Sequence, residues 1–423
     1  MQMNDEIYQT YVEILKEELM PAMGCTEPIA IAYCAAKMRD TLGCLPSRID
    51  VLVSPNILKN VKSVKVPHTN GLNGIAAAIA IGVLAGDSAN ELEVIAKAHY
   101  DDYQSLESFI NETPINIQAV ENDHTLYIEL IGYNGDDQAK VVIRDSHTHI
   151  YLVEKNLGVI YVNEVELKKN TSNLDKNLLN IKDIVEFADM ANIDDVKAVL
   201  ARQIEYNMAI ALEGMRNSYG ANIGKTILKY NKDIVSYCKA MASSASDARM
   251  NGCELPVIIN SGSGNQGITC SVPVICYARK MGFSDEQLYR SLIVSNLCTT
   301  HIKNSIGKLS AYCGVVIAGA CCGAGISYLE GGGYDAVAHT IVNALAIISG
   351  VVCDGAKSSC AAKISSSIEA GFLGYYMYKE GNEFSSGDGI VKKGVENTIK
   401  AVGELARVGM CETDKEIIHL MID

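Results

Sequence analysis

Apolar and polar positions alternate at helical spacing over residues 5–20, which predicts an amphipathic helix there. A second helix is predicted to start at Pro28, because proline has no N–H to lose at a first helical position. Ile49–Ser54 and Leu58–Val66 read as strands, and Gly74 to about Tyr100 reads as helix. The clearest β pattern covers Ile115–Tyr161. There the runs ETPINIQAV, HTLYIELIGY, QAKVVIRD and THIYLVEK are separated by Asn, Asp and Gly turns, which predicts a meander of antiparallel strands. From about Asn173 helical periodicity runs to the end, interrupted by one short apolar run, Pro256–Asn260, that leads into SGSGNQG. The expected fold class is α+β. An α/β N-terminal domain with the meander would span 1–170, followed by an all-α domain over 171–423.

Composition narrows the function classes. A chain of 423 residues that is 48% hydrophobic and 20% charged has enough apolar surface for two substantial cores. The formal net charge of −14 and the lack of any Lys/Arg cluster exclude a nucleic-acid surface. Gly74–Gly86 is too short to span a bilayer, and Cys313–Leu329 is dense in Gly, Ala and Cys. Such residues let helices pack backbone to backbone, so a buried helix is expected and no membrane partner. The N-terminus, MQMNDEIYQTYVEILKEEL, lacks the basic and apolar regions of a signal peptide. Fourteen cysteines without such a signal point to a reducing, cytoplasmic setting and to free thiols.

Most free cysteines are small buried hydrophobes. Three have surroundings that suggest more. In VVCDGAKSSCAAK, Cys353 ends a helical run, Asp-Gly-Ala breaks it, and Ser358 is placed to cap a helix whose first turn holds Cys360. In GKLSAYCGVV, Ser310 as an N-cap would put Cys313 in a first turn as well. The positive end of a helix dipole favours a thiolate. Three cysteines at helix ends can converge on one inorganic centre; the alternative is that all three fill the core. Closely spaced ferredoxin-type cysteines are absent, as are the paired CxxC motifs of structural zinc.

The segments GCTEP (Gly24–Pro28), SGSGNQG (Ser261–Gly267), HIKNSIGKLSAYCG (His301–Gly314) and CDGAKSSCAAK (Cys353–Lys363) resemble the L-cysteine desulfidase family, which is related to the iron–sulfur L-serine dehydratases. The likeness runs from near the N-terminus past residue 360, and CDGAK with a second cysteine seven positions on is its most specific element. The resemblance implies that Cys313, Cys353 and Cys360 hold a [4Fe-4S] cluster and that Cys25 is the catalytic base. Three protein ligands would leave one iron open for Lewis-acid chemistry. Cys321 and Cys322 compete for the Cys313 role, but the LSAYCG context favours Cys313. The expected partners are a small amino-acid substrate and a second copy of the chain, as a homo-oligomer (dimer).

Other residues carry two readings each. Cys25 precedes a helix start, where the helix N-terminus is expected to lower its pKa; otherwise it is a buried cysteine beside a turn. SGSGNQG satisfies GxGxxG, but no parallel strand follows to make a dinucleotide site. It reads instead as a nest of N–H groups with Ser261, Ser263 and Asn265 for a substrate carboxylate, or as a glycine turn packing two elements. VPHTNG resembles the SHTxGP segment of serine dehydratases, with Pro67 and Leu72 as departures, which makes His68 and Thr69 substrate-binding candidates. His147 and His149 are expected on one strand face. Lys303, Lys308 and Lys357 are candidate carboxylate partners. The expected reaction is conversion of L-cysteine to pyruvate, ammonia and sulfide. Alternatives are L-serine dehydration at the same site, a pyridoxal-phosphate lyase, and a non-catalytic redox or metal-storage protein.

Overall fold

The computed structural model describes residues 4–98, 100–163, 174–307 and 310–422. The expected domain boundary at residue 170 and the candidate Lys308 lie outside these residues. The N-terminal part runs α1 (Asp5–Glu18), β1 (Pro21–Met23), α2 (Thr26–Leu42), β2 (Arg48–Val53), α3 (Pro55–Val61), α4 (Gly74–Ala85) and α5 (Tyr100–Glu112). Strands β3 (Ile115–Ala119), β4 (Tyr127–Asn134), β5 (Asp137–Arg144), β6 (Ile150–Lys155) and β7 (Gly158–Val162) follow. Then come α6 (Ile181–Met190), α7 (Lys197–Arg216), α8 (Ile223–Tyr230), α9 (Ile234–Met250) and β8 (Pro256–Ile258). The chain continues through α10 (Gly264–Met281), α11 (Asp285–Ile306), α12 (Gly314–Leu329), α13 (Tyr334–Ile348), α14 (Cys360–Lys379), α15 (Val395–Glu404) and α16 (Cys411–Ile422). A mixed sheet near the N-terminus and a helical C-terminal region make the fold α+β, as the pattern predicts.

The six-stranded sheet has the order β3-β2-β4-β5-β6-β7. Strands β4 to β7 are the antiparallel meander. β3 departs from it: this strand pairs parallel with β2 at the sheet edge, and β2 separates it from β4. The chain reaches β3 from β2 through α3, α4 and α5, and a strand that returns through helices enters parallel. Alternate residues of the sheet, among them Val51, Leu130 and Val141, are buried with α2 and α4 in one apolar core.

Three local expectations are corrected. Leu58–Val66 is not a strand; α3 occupies its first four residues, with Pro55 in the helix's first turn and Ile57 and Val61 buried one helical turn apart. α2 starts at Thr26, so Pro28 is its third residue, two positions later than expected, still where its missing N–H costs nothing. The helix from Gly74 ends at Ala85, where Gly86-Asp87-Ser88 breaks it; Asp87 then caps a 3₁₀ turn over Ser88–Glu93.

A second and larger core gathers the C-terminal helices, and Tyr11, Ile14 and Leu15 of α1 are buried in it. β1 pairs antiparallel with β8, Pro21 opposite Ile258, and so ties the GCTEP segment to the SGSGNQG loop. Small residues bring helices together as expected. A Cβ at Gly82 of α4 would stand 2.3 Å from the Ala32 carbonyl of α2, and one at Gly323 of α12 would stand 2.3 Å from the Gly371 carbonyl of α14. Among the described residues no helix is long and apolar enough to cross a membrane.

Candidate active site

Four helices bring their N-termini to one place. Cys25 is the N-cap of α2, and the Thr26 hydroxyl donates to the Gly262 carbonyl at 3.4 Å, just before α10. Cys313 is the N-cap of α12, where a Cβ on Gly314 would lie 2.4 Å from Gln266 Oε1 of α10. Cys360 is the first residue of α14 and packs in a small apolar cluster with Cys25, Val64, Met250 and Ala356. The caps differ slightly from the sequence reading. Ser310 does not cap α12; its hydroxyl donates to Ala406 O, and Cys313 itself takes the cap position. Ser359, not Ser358, precedes α14.

Backbone pairing sets Cys313 against Cys353. The Cys313 N–H donates to Val351 O at 3.1 Å and the Cys353 N–H to Ala311 O at 2.6 Å, around an antiparallel bridge of Tyr312 and Val352. Gly355 makes the turn that follows. Its φ of +90° suits glycine, and a Cβ would stand 2.3 Å from Lys59 O of α3. The two thiols interact through a shared hydrogen bond. That bond brings Cys353 down to about 6, against the opposing effect of burial, with help from Lys59 and Lys363. The same bond, with burial, holds Cys313 well above the usual thiol range. Burial also raises Cys360. Lys303 of α11 is buried beside this group; burial pushes it down to about 8, against the pull of Cys353 and Cys313.

Thiolates are the ligands that iron–sulfur clusters take, and a cluster's net negative charge suits helix N-termini and nearby lysines. The donor set and its surroundings therefore fit such a cluster. Among the described residues no group of three or more His, Cys, Asp or Glu side chains is close enough together to hold a single metal ion. Cys321 and Cys322 are fully buried in the packed helical core with the rest of α12.

Cys25 differs from expectation. Burial pushes its thiol up to about 12, Arg249 opposing, so the helix N-terminus does not make it a resting thiolate. Its sulfur lies 3.7 Å from Met250 Sδ, which is also 3.6 Å from the Asn265 amide nitrogen.

The SGSGNQG loop is fixed from below by a buried amide network. Asn260 donates to Asn296, which exchanges hydrogen bonds with Gln203, while Asn207 binds both Ile258 and Gly267. Ser261 is already engaged: its N–H donates to the Glu18 carboxylate at 2.8 Å. Ser263 caps α10, and Asn265 accepts from Ser246 at 3.3 Å. Pro67 packs on Gly24, which brings the VPHTNG turn alongside. His68, in the left-handed region, has Nδ1 3.1 Å from Glu254, and burial lowers its pKa. The Thr69 hydroxyl hydrogen-bonds within its own turn, to Val66 O at 2.7 Å and Leu72 O at 3.1 Å. His147 and His149 lie in the turn between β5 and β6, not on a strand. Lys357 pairs with Asp354.

One residue that periodicity and motif do not mark is Arg249, in the last turn of α9. It is buried, and its Nε has no hydrogen-bond partner. The available signal is a cation inside the small-residue run MASSASDARM.

A family model described as serine dehydratase alpha chain matches residues 93–419. A UPF0597 protein of Desulfitobacterium hafniense is 55% identical over 425 residues, covering 100% of this chain and 99% of its own. UPF0597 proteins of Treponema denticola and Finegoldia magna are 43% and 44% identical, covering 100% and 98% of this chain and all of their own. The family match points to amino-acid dehydratase or lyase chemistry. With the match covering most of the chain, including the segments of Cys313, Cys353 and Cys360, this protein belongs to the serine dehydratase alpha chain family.

Proposed function

We propose that this protein is an iron–sulfur-dependent carbon–sulfur lyase that converts L-cysteine to pyruvate, ammonia and hydrogen sulfide. The observation that carries the reading is the meeting of Cys313 and Cys360, both at helix N-termini, with Cys353 set against Cys313 by backbone pairing and Cys25 packed against Cys360. Cys313, Cys353 and Cys360 would hold a [4Fe-4S] cluster. Held on these three thiolates, the cluster would supply Lewis-acid assistance to the departing β-substituent.

The chain's own groups supply the rest. Asn265, in the first turn of α10, reaches Met250, which also touches Cys25, and we assign it together with Ser263, the cap of that helix, to substrate binding. Ser261 is held by Glu18 and Thr69 by its own turn, so both support the site's shape. His68, paired to Glu254, borders the site through Pro67. Cys25 removes the α-proton. Arg249 already favours its thiolate, and the α-ammonium of a bound amino acid adds a second positive charge. The electron pair left at Cα forms the Cα–Cβ double bond as the Cβ–S bond breaks and sulfide leaves. The resulting aminoacrylate tautomerises to an imine, which water hydrolyses to pyruvate and ammonia.

L-Serine dehydration is the second reading, and the family match favours it, because a β-hydroxyl can leave by the same route. All fourteen cysteines are free thiols, which suits a reducing cytoplasm. The test is anaerobic purification, assay of iron and acid-labile sulfide, and turnover on both amino acids. Stoichiometric cluster with faster pyruvate release from L-cysteine supports the first reading. Faster release from L-serine selects the second, and an iron-free protein that makes pyruvate defeats both.

A further inference from the structure

Among the described residues Arg249 has no carboxylate counter-ion. It is 4% exposed, and its Nε is buried without a hydrogen-bond partner. Asp247, two residues earlier and so on another side of α9, accepts from the Gly224 N–H at 3.3 Å instead. Leaving a guanidinium buried and unpaired is strongly unfavourable, so such a group is expected to meet an anion that the folded chain does not itself supply.

The surroundings say what that anion is. The guanidinium lies against the first residue of α10: a Cβ on Gly264 would stand 2.4 Å from Nε and 2.6 Å from Cζ. The first N–H groups of that helix have no partner within it. Met250, the next residue, touches both the Cys25 thiol and the Asn265 amide. An unpaired planar donor laid across a helix N-terminus suits the carboxylate of an α-amino acid. Arg249 also favours the Cys360 thiolate, while Lys303, Lys59 and Lys363 face Cys313 and Cys353.

We infer that Arg249 binds the α-carboxylate of the amino-acid substrate. This assignment rests on the lyase reading for the identity of the ligand.

The experiment uses anaerobically reconstituted holoenzyme, wild type, Arg249→Gln and Arg249→Lys, with L-alanine and L-alaninamide as probes that cannot eliminate. Titration calorimetry should show that wild type binds L-alanine and prefers it over the amide. Arg249→Gln should keep its iron, lose about thirty-fold or more in L-alanine affinity and in KM for L-cysteine, and bind L-alaninamide as wild type does. Arg249→Lys should recover part of the loss. Without ligand, Arg249→Gln should melt no lower than wild type, since it removes an unpaired buried charge. Equal wild-type affinity for the two probes overturns the assignment without any variant. So does loss of iron with L-alanine affinity intact, or an equal loss for both probes. Failure of the lyase reading looks different: no pyruvate from either amino acid, with L-alanine binding still dependent on Arg249.

Discussion

Gly264 and Arg249 are in direct contact, with the position of a Gly264 Cβ only 2.4 Å from the arginine Nε. The glycine lets a guanidinium lie across the first turn of α10. Alanine has the better helix propensity, so on propensity alone Gly264→Ala would be neutral or stabilising. Here it should act through Arg249. The new methyl also meets Val257 at 2.8 Å, so the side chain must move toward the substrate space. We expect normal iron content and a KM raised about tenfold, the scale of a modest overpacking. Steady-state kinetics beside an iron assay check this, and an unchanged KM would separate Gly264 from substrate binding.

Three of the cysteines should control iron, and the others should not. Cys313→Ala, Cys353→Ala and Cys360→Ala should each abolish bound iron and activity. Cys44→Ala and Cys411→Ala, at exposed positions, should do neither. Cys321→Ala and Cys322→Ala enlarge a packed core, so they should lower the melting temperature and leave iron in place. Iron and labile sulfide per chain are the measurements. A fully loaded, active Cys353→Ala protein would overturn the ligand set.

Much of this site is written in short segments. GCTEP, SGSGNQG, LSAYCG and CDGAKSSC each carry a local reason to turn or cap, and local reasons are legible in sequence. The meander was equally legible, because period-two alternation and turn residues are local too. What needed the fold was long-range. Leu58–Val66 is apolar at positions that suit a strand or a helix, and packing decides for α3. The parallel entry of β3 follows from a three-helix crossover that no window of residues reveals. The high pKa of Cys25 comes from burial by Val64, Met250 and Cys360, which lie far away in the chain. Arg249 looks ordinary until its lack of a partner is seen.

Asp247 predicts a pH effect on stability apart from the chemistry. Burial raises its carboxyl to about 6, with the Gly224 N–H opposing. The folded state therefore holds this proton more tightly than the unfolded chain, whose carboxyl titrates near ~3.9. The stabilisation is complete below that lower value and is lost as pH rises through about 6. Asp247→Asn keeps the shape without the charge. Its melting temperature, relative to wild type, should climb between pH 4 and pH 7, as read by thermal melts across that range. A difference that stays flat with pH would place the Asp247 pKa in the ordinary range.

Air should inactivate the enzyme reversibly. An iron without a protein ligand is the one most easily lost on oxidation, and the three thiolates remain to rebind it. Activity should decay on aeration and return with iron(II) and a thiol reductant. Electron paramagnetic resonance should show a three-iron signal that appears and disappears in step. Turnover indifferent to prolonged aeration would count against an open iron even if a cluster is bound.

Cys25 offers the sharpest division between chemistry and cluster assembly. It stands at the N-cap of α2, against Cys360, with its thiol pushed up to about 12 by burial. A base must lose its proton before it can take one. Since kcat/KM reports the free enzyme, it should therefore rise with pH through the neutral and mildly alkaline range. Cys25→Ser keeps the shape but offers a hydroxyl that hardly ionises at these pH values. Removing a general base typically costs ~10²–10⁴-fold in rate and should leave cluster affinity untouched. We expect normal iron, near-normal L-alanine binding, a kcat reduced on that scale, and no rising pH limb. Exchange of the substrate α-proton with solvent deuterium should disappear together with turnover. If the variant loses its iron, Cys25 is a ligand, and the base must be sought elsewhere. If iron and full activity both survive, GCTEP serves only to cap α2 beside the cluster cysteines.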